Sequence, residues 1–157
     1  MTRHAAILQA ILALGQSWTD HRHEPFDEWQ VRADTIAEAI DTVSRTNQEA
    51  AFLVYMGKHE SGFSKSIGEG EGKLRRGHYY FGYWQVWALG IHVYSPDTAD
   101  AGAALRVYRT HRGRGTLVDG IRGYGGYKRW SPMPRVLAGR VVKIEKRLDA
   151  MTSEGMP

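Results

Sequence analysis

The placement of glycine restricts this chain's fold more than any other feature. Most of its 18 glycines lie between Gly57 and Gly126. A stretch so dense in residues without a Cβ favours turns and loops over long regular elements. The centre is therefore expected to be loop-rich, with helices gathered on either side. Toward the end, Pro132 and Pro134 introduce a helix in which Leu137, Val141, Ile144, Leu148 and Met151 recur at helical spacing. Near the start, Ile7, Leu8, Ile11, Leu12 and Leu14 fit one broad face of a packed helix. The rival reading of Met1 to Trp18 is an export signal. It lacks a clear small-x-small cleavage site, and Gln9 interrupts its apolar run.

Between these flanks the pattern changes several times. Ser17 to Gln30 is polar and aromatic, is broken by Pro25, and reads as a connecting loop. Ala33, Ile36, Ala37, Ile40 and Val43 predict a second helix from about Ala33 to Thr46, with Thr35 and Glu38 as a capping box. Asn47 is a cap for a third, Gln48 to about His59, carrying Ala51, Phe52, Val54 and Tyr55, and Gly62 stops it. Ser64 to Gly77 suits a short hairpin or flap, and the aromatic-dense Tyr79 to Trp87 suits a lining. Asp97 can cap a fourth helix with Ala101, Ala104, Leu105 and Tyr108 on one face. A short helix, Thr116 to Ile121, leads into a glycine-tyrosine turn at Gly123 to Tyr127, read as flexible and tolerant of positive φ. The expected architecture is mainly α, with a small β-hairpin or flap. It forms one domain over 1–157: helix and loop at 1–30, core at 31–130, helix and tail at 131–157.

Composition narrows the chemistry. With 157 residues, 42% hydrophobic and 24% charged, the chain can bury a real core. It has no cysteine, which excludes a disulfide framework and any thiolate ligand or nucleophile. Its seven histidines show no HExxH or comparable spacing, so neither a metal nor a cofactor is expected. No apolar stretch is long enough to span a membrane. A formal charge of +4 suits any polyanion: nucleic acid, anionic lipid or cell wall. The basic residues look scattered along the chain rather than striped, and no nucleic-acid motif is present, so specific nucleic-acid binding is not expected.

His59-Glu60-Ser61-Gly62-Phe63 sets a carboxylate at a helix C-terminus. The negative end of the helix dipole disfavours a second negative charge there, and apolar neighbours such as Phe63 and Tyr55 disfavour any charge. Both effects favour the protonated acid that proton donation near neutral pH requires. His59, if charged, opposes them. Alone, a glutamate before a helix-stopping glycine is most often just a solvated residue. Its company changes that: Gly82-Tyr83-Trp84-Gln85-Val86 follows, and then Tyr124-Gly125-Gly126 ahead of a basic helix.

In this order the segments resemble those of the lysozyme-like lytic transglycosylases, the group of soluble lytic transglycosylases and goose-type lysozymes. Glu60, Ser61 and Phe63 match the family's Glu-Ser-x-Phe motif, and Gly82 with Gln85 matches its Gly-x-x-Gln motif. Tyr124 matches the start of its Tyr-Asn-x-Gly motif, but Gly125 stands where asparagine is usual and Gly126 falls one place early. The resemblance covers roughly Ala50 to Trp130. It implies an α+β lysozyme-like fold with the flap beside an active-site cleft.

It further implies that Glu60 protonates the glycosidic oxygen between N-acetylmuramic acid and N-acetylglucosamine in peptidoglycan. Glu60 then takes the proton from the sugar's own C6 hydroxyl, which closes a 1,6-anhydro ring. One carboxyl group is enough when the nucleophile is intramolecular. A muramidase needs a second carboxylate to activate water, and Glu69 or Glu71 on the flap are the candidates. Ser61, Phe63, Tyr80, Trp84, Gln85 and Tyr124 are the expected substrate-binding residues. Tyr79, Tyr83 and Trp87 offer further aromatic faces, and Arg75, Arg76, Lys128 and Arg129 can meet carboxylates on the peptide stems. The expected partner is the bacterial glycan strand, with action in the periplasm or cell wall. Small domains of this kind also occur in phage particles and secretion machines, which gives a rival reading as a non-catalytic structural protein of a virion.

Overall fold

One helix is enclosed by the others. In a computed structural model that describes residues 1–15, 23–68, 73–75, 78–87 and 97–153, α3 (Asn47–Ser61) touches α1 (Arg3–Leu14), α2 (Phe26–Val43), α5 (Asp97–Arg112) and α7 (Met133–Ser153). Its run Ala50 to Val54 is fully buried, as in a helix apolar on every side. The remaining helices among the described residues are α4 (Lys65–Gly68) and α6 (Leu117–Tyr124). The protein is mainly helical. Three short strands, β1 (Lys73–Arg75), β2 (His78–Phe81) and β3 (Val86–Trp87), form an antiparallel sheet in that order. Lys73 lies opposite Tyr80, and Tyr80 opposite Trp87.

The apolar spacings of the outer helices become buried faces. Ala6, Ile7, Ala10 and Ile11 of α1 are buried, so this segment packs as a helix of the core. Ala101, Ala104, Leu105 and Tyr108 of α5 are fully buried, and Tyr108 stacks on Phe52 with ring centroids 4.2 Å apart. Leu137, Val141, Ile144 and Leu148 bury the inner face of α7. No described helix is long and apolar enough to cross a membrane.

Helix ends differ from the sequence reading in instructive ways. The second helix begins at Phe26, with Pro25 as its N-cap, and ends at Val43, so the boundary drawn at residue 30 falls inside it. Pro25 fits that place because its missing N–H is not needed there, and Asp27 and Glu28 complement the dipole of the first turn. Trp29, 2% exposed, anchors the turn in the core. Thr35 and Glu38 are therefore mid-helix, and the Thr35 hydroxyl donates to the Val31 carbonyl. The reciprocal capping box forms instead at Thr116 and Asp119, at the start of α6. The cap of α3 is Thr46, whose hydroxyl accepts from the Glu49 N–H; Asn47 is the first helical residue.

Candidate functional site

Glu60 occupies the last turn of α3, half-buried. Gly62 closes the helix in the left-handed region, φ 66°, and its N–H bonds the Lys58 carbonyl. The chain continues left-handed through Phe63, φ 55°, a conformation that an aromatic residue rarely adopts. Gln85, φ 47°, is the other non-glycine residue with positive φ among the described residues. Both strained positions therefore belong to the two segments singled out in the sequence, and strain of this kind persists only where the surroundings over-determine it.

Those surroundings are specific. The Arg32 guanidinium donates to the Phe63 carbonyl at 2.7 Å and to the Tyr83 hydroxyl at 3.0 Å, which ties the two segments to α2. Its other nitrogens make a two-point contact with Glu24 at 2.8 and 2.6 Å, and Trp29 covers one face at 4.8 Å. Burial works against the charge on Arg32, but the bonds to Glu24 and Tyr83 outweigh it and raise the pKa. The same hydrogen bonds hold the buried Glu24 carboxyl below its ordinary range. Lower in the site, the Trp84 indole N–H donates to the Leu53 carbonyl at 2.8 Å, and the Tyr124 hydroxyl bonds the Trp84 carbonyl. The end of α6 is thereby fastened to the turn that carries Gln85.

Two close approaches depend on glycine. A Cβ on Gly57 would stand 2.6 Å from the Phe63 ring and 3.2 Å from the Trp84 indole nitrogen. A Cβ on Gly82, φ 67°, would stand 1.5 Å from an Asp100 carboxylate oxygen, so α5 presses its first turn directly onto the 82–85 turn. Neither Gly57 nor Asp100 was singled out in the sequence. Each becomes visible only once two distant segments are brought together.

The expected site residues divide by exposure. Phe63 and Trp84 are fully buried, and Tyr83 is nearly so, with its ring edge-on to both. Their surfaces are spent on the wall of the site rather than offered to a ligand. Ser61 is also turned inward. Its hydroxyl donates to the Gly57 carbonyl at 2.8 Å and accepts from the Phe63 N–H at 3.1 Å, which supports the left-handed exit from α3. Gln85 is half-exposed, and its amide donates back to the Gly82 carbonyl at 2.9 Å. The backbone of Tyr80 lies in β2. The side chains of Arg75, Tyr79, Tyr80 and Trp87, and the whole of Glu69, Glu71 and Arg76, lie outside the described residues.

Around Glu60 the structure gathers tyrosines. Burial first, and then the charges of Glu60 and Asp100, push the Tyr124 hydroxyl well above its ordinary pKa. Tyr124 is half-exposed overall, yet its hydroxyl is sunk against the Trp84 carbonyl, where it stays a neutral donor. Tyr127 is raised by burial, by Glu60 and by Tyr55. The glycines of this turn are set more by contact than by flexibility. A Cβ on Gly125 would stand 2.2 Å from the Tyr127 ring and one on Gly123 2.0 Å from His111, and only Gly126, φ 61°, needs a left-handed backbone. Tyr127 thus fills the space that a side chain at position 125 would take, a role the sequence did not signal.

Among the described residues, no group of three or more histidines and acidic residues is arranged to hold a metal ion. No family model, curated protein or solved structure matches the chain.

Proposed function

We propose that the chain is a peptidoglycan lytic transglycosylase that cleaves the β-1,4 bond between N-acetylmuramic acid and N-acetylglucosamine. The observation that carries this reading is the convergence of three separated segments on the end of α3. Residues 60–63, 82–85 and 124–127 are fastened there by the Arg32, Trp84 and Tyr124 hydrogen bonds. In this reading the fold is lysozyme-like and the β1–β3 sheet is the flap beside the cleft. Glu60 is the general acid, and then the base that accepts the C6 hydroxyl proton as the 1,6-anhydro ring closes. Gln85 meets the acetamido and hydroxyl groups of the sugar, and Tyr124 with Tyr127 borders the carboxyl group. Gly125 does not supply the family's motif asparagine, and the Tyr127 ring lies where a side chain at 125 would begin.

The second reading is a muramidase, in which Glu69 or Glu71 supplies the second carboxylate that hydrolysis needs. The test is mass spectrometry of digested peptidoglycan, wild type beside Glu60→Gln. Anhydromuramic ends, falling about a hundredfold or more in the variant, are expected for a single acid–base group. Reducing ends with incorporated water select the muramidase. Digestion unchanged by Glu60→Gln overturns both, and absence of digestion by the folded wild type favours the structural reading.

A further inference from the structure

The outward face of α7 has no part in the site. Its inner face is buried, while Met133, Arg135, Val136, Arg140, Lys143, Lys146 and Arg147 are exposed along one continuous arc. The basic residues that look scattered in the linear sequence are collected by the helix onto one side. Positions 136, 140, 143 and 147 follow the spacing of one helical stripe. The acidic residues of the helix do not dilute it: Glu145 accepts from Gln48 and Asp149 from Asn47, both on α3. None of the basic residues on the arc is ion-paired among the described residues.

At the N-terminal end of this stripe the surface becomes apolar. Trp130 is 79% exposed, Val136 54% and Met133 39%, and these are three of the six large hydrophobic residues exposed in the described structure. Lys128 places its ammonium 5.6 Å from the Trp130 ring. A polyanion without an apolar phase would have use for the cations but none for Met133 and Val136. A bilayer surface matches both: tryptophan settles at the headgroup level, short apolar side chains enter the acyl boundary, and lysine and arginine meet lipid phosphates.

We infer that the exposed face of α7, with Trp130, Met133 and Val136 as its insertion end and Arg140, Lys143 and Arg147 as its charged stripe, docks on an anionic phospholipid bilayer. The contact is peripheral, in the plane of the surface. It uses the face of α7 opposite the buried one that packs into the core. The inference does not rest on the proposed activity, and vesicle binding is read without it.

The experiment is co-sedimentation of the full chain with phosphatidylcholine vesicles, with and without phosphatidylglycerol, at near-physiological ionic strength. Binding only to the phosphatidylglycerol vesicles is expected. Each basic residue at an anionic surface is worth about fivefold in partitioning, so R140Q/K143Q/R147Q should weaken binding on the order of a hundredfold. Trp130→Ala should weaken it about tenfold by withdrawing one aromatic ring from the apolar layer. All four positions are exposed, so circular dichroism should show each variant folded. Equal binding to uncharged vesicles, binding indifferent to these substitutions, or no vesicle binding beside tight, variant-sensitive binding to a duplex oligonucleotide would each overturn the proposal.

Discussion

At the scale of single residues, the candidate site is held together by buried groups behind it. Gly82 combines a left-handed backbone with the Asp100 carboxylate where its side chain would be. Gly82→Ala should therefore cost about 1–3 kcal/mol from backbone strain alone. Urea unfolding measures the loss, and Asp100→Ala in the same chain should restore only the part due to the clash. Arg32 joins Phe63, Tyr83 and Glu24. Replacing it by methionine leaves the Glu24 carboxylate buried without its hydrogen-bonding cation, which should cost about 3–5 kcal/mol. The double variant with Glu24→Gln should be more stable than the two losses summed, because the uncompensated charge is gone. A strictly additive result would mean that Arg32 and Glu24 act independently.

At the scale of elements, helix ends decide where the side chains of the candidate site stand. Gly57 illustrates two opposed effects. Alanine is a better helix former than glycine by about 1 kcal/mol, but overpacking a core costs about 1–3 kcal/mol. The added methyl would stand 2.6 Å from Phe63, so packing outweighs propensity and Gly57→Ala should destabilise. Both Phe63 and Trp84 must shift to admit it, so tryptophan fluorescence should change with it. A stabilised variant with unchanged fluorescence would contradict the packing at the base of the site. The capping box of α6 is a smaller contribution. Thr116→Ala should cost about 1 kcal/mol in thermal unfolding, since it strips one acceptor from an exposed helix start.

At the scale of the whole molecule, buried carboxylate–guanidinium contacts brace the core. Glu24, just before α2, holds the Arg32 guanidinium that bonds Phe63 and Tyr83. Glu49 accepts from Arg109 of α5 at 2.7 Å and from the Arg45 N–H at 2.7 Å, fixing α3 against α5. Burial alone would raise the Glu49 carboxyl, but these bonds outweigh it and hold the pKa below the ordinary value of 4.5. Glu24 is lowered from the same value. A carboxyl with a lowered folded-state pKa contributes stability above its unfolded value and loses it as pH falls through the folded one. The protein should therefore lose stability below about pH 4.5, and the loss should be shallower in Glu24→Gln and in Glu49→Gln. Denaturant midpoints measured across that range check the sign; a wild-type slope retained in both variants would assign acid sensitivity elsewhere.

The sequence by itself determined the elements whose signal is local. Apolar spacing located the buried faces of α1, α5 and α7, and the Glu60-to-Gly62 segment located the end of α3, because helical periodicity and a left-handed stop act within a few residues. The start of α2 was missed because a loop-like composition concealed Trp29, which becomes a helical anchor only when the core receives it. Tertiary structure alone decided which residues meet. Arg32 against Phe63 and Tyr83, Asp100 against Gly82, and Tyr127 in the space beside Gly125 are pairings across the chain or around a turn, and residue identity does not encode them. It also decided that Ser61, Phe63 and Trp84 face inward. Side-chain direction depends on what packs against the other face, and no short stretch of sequence contains that.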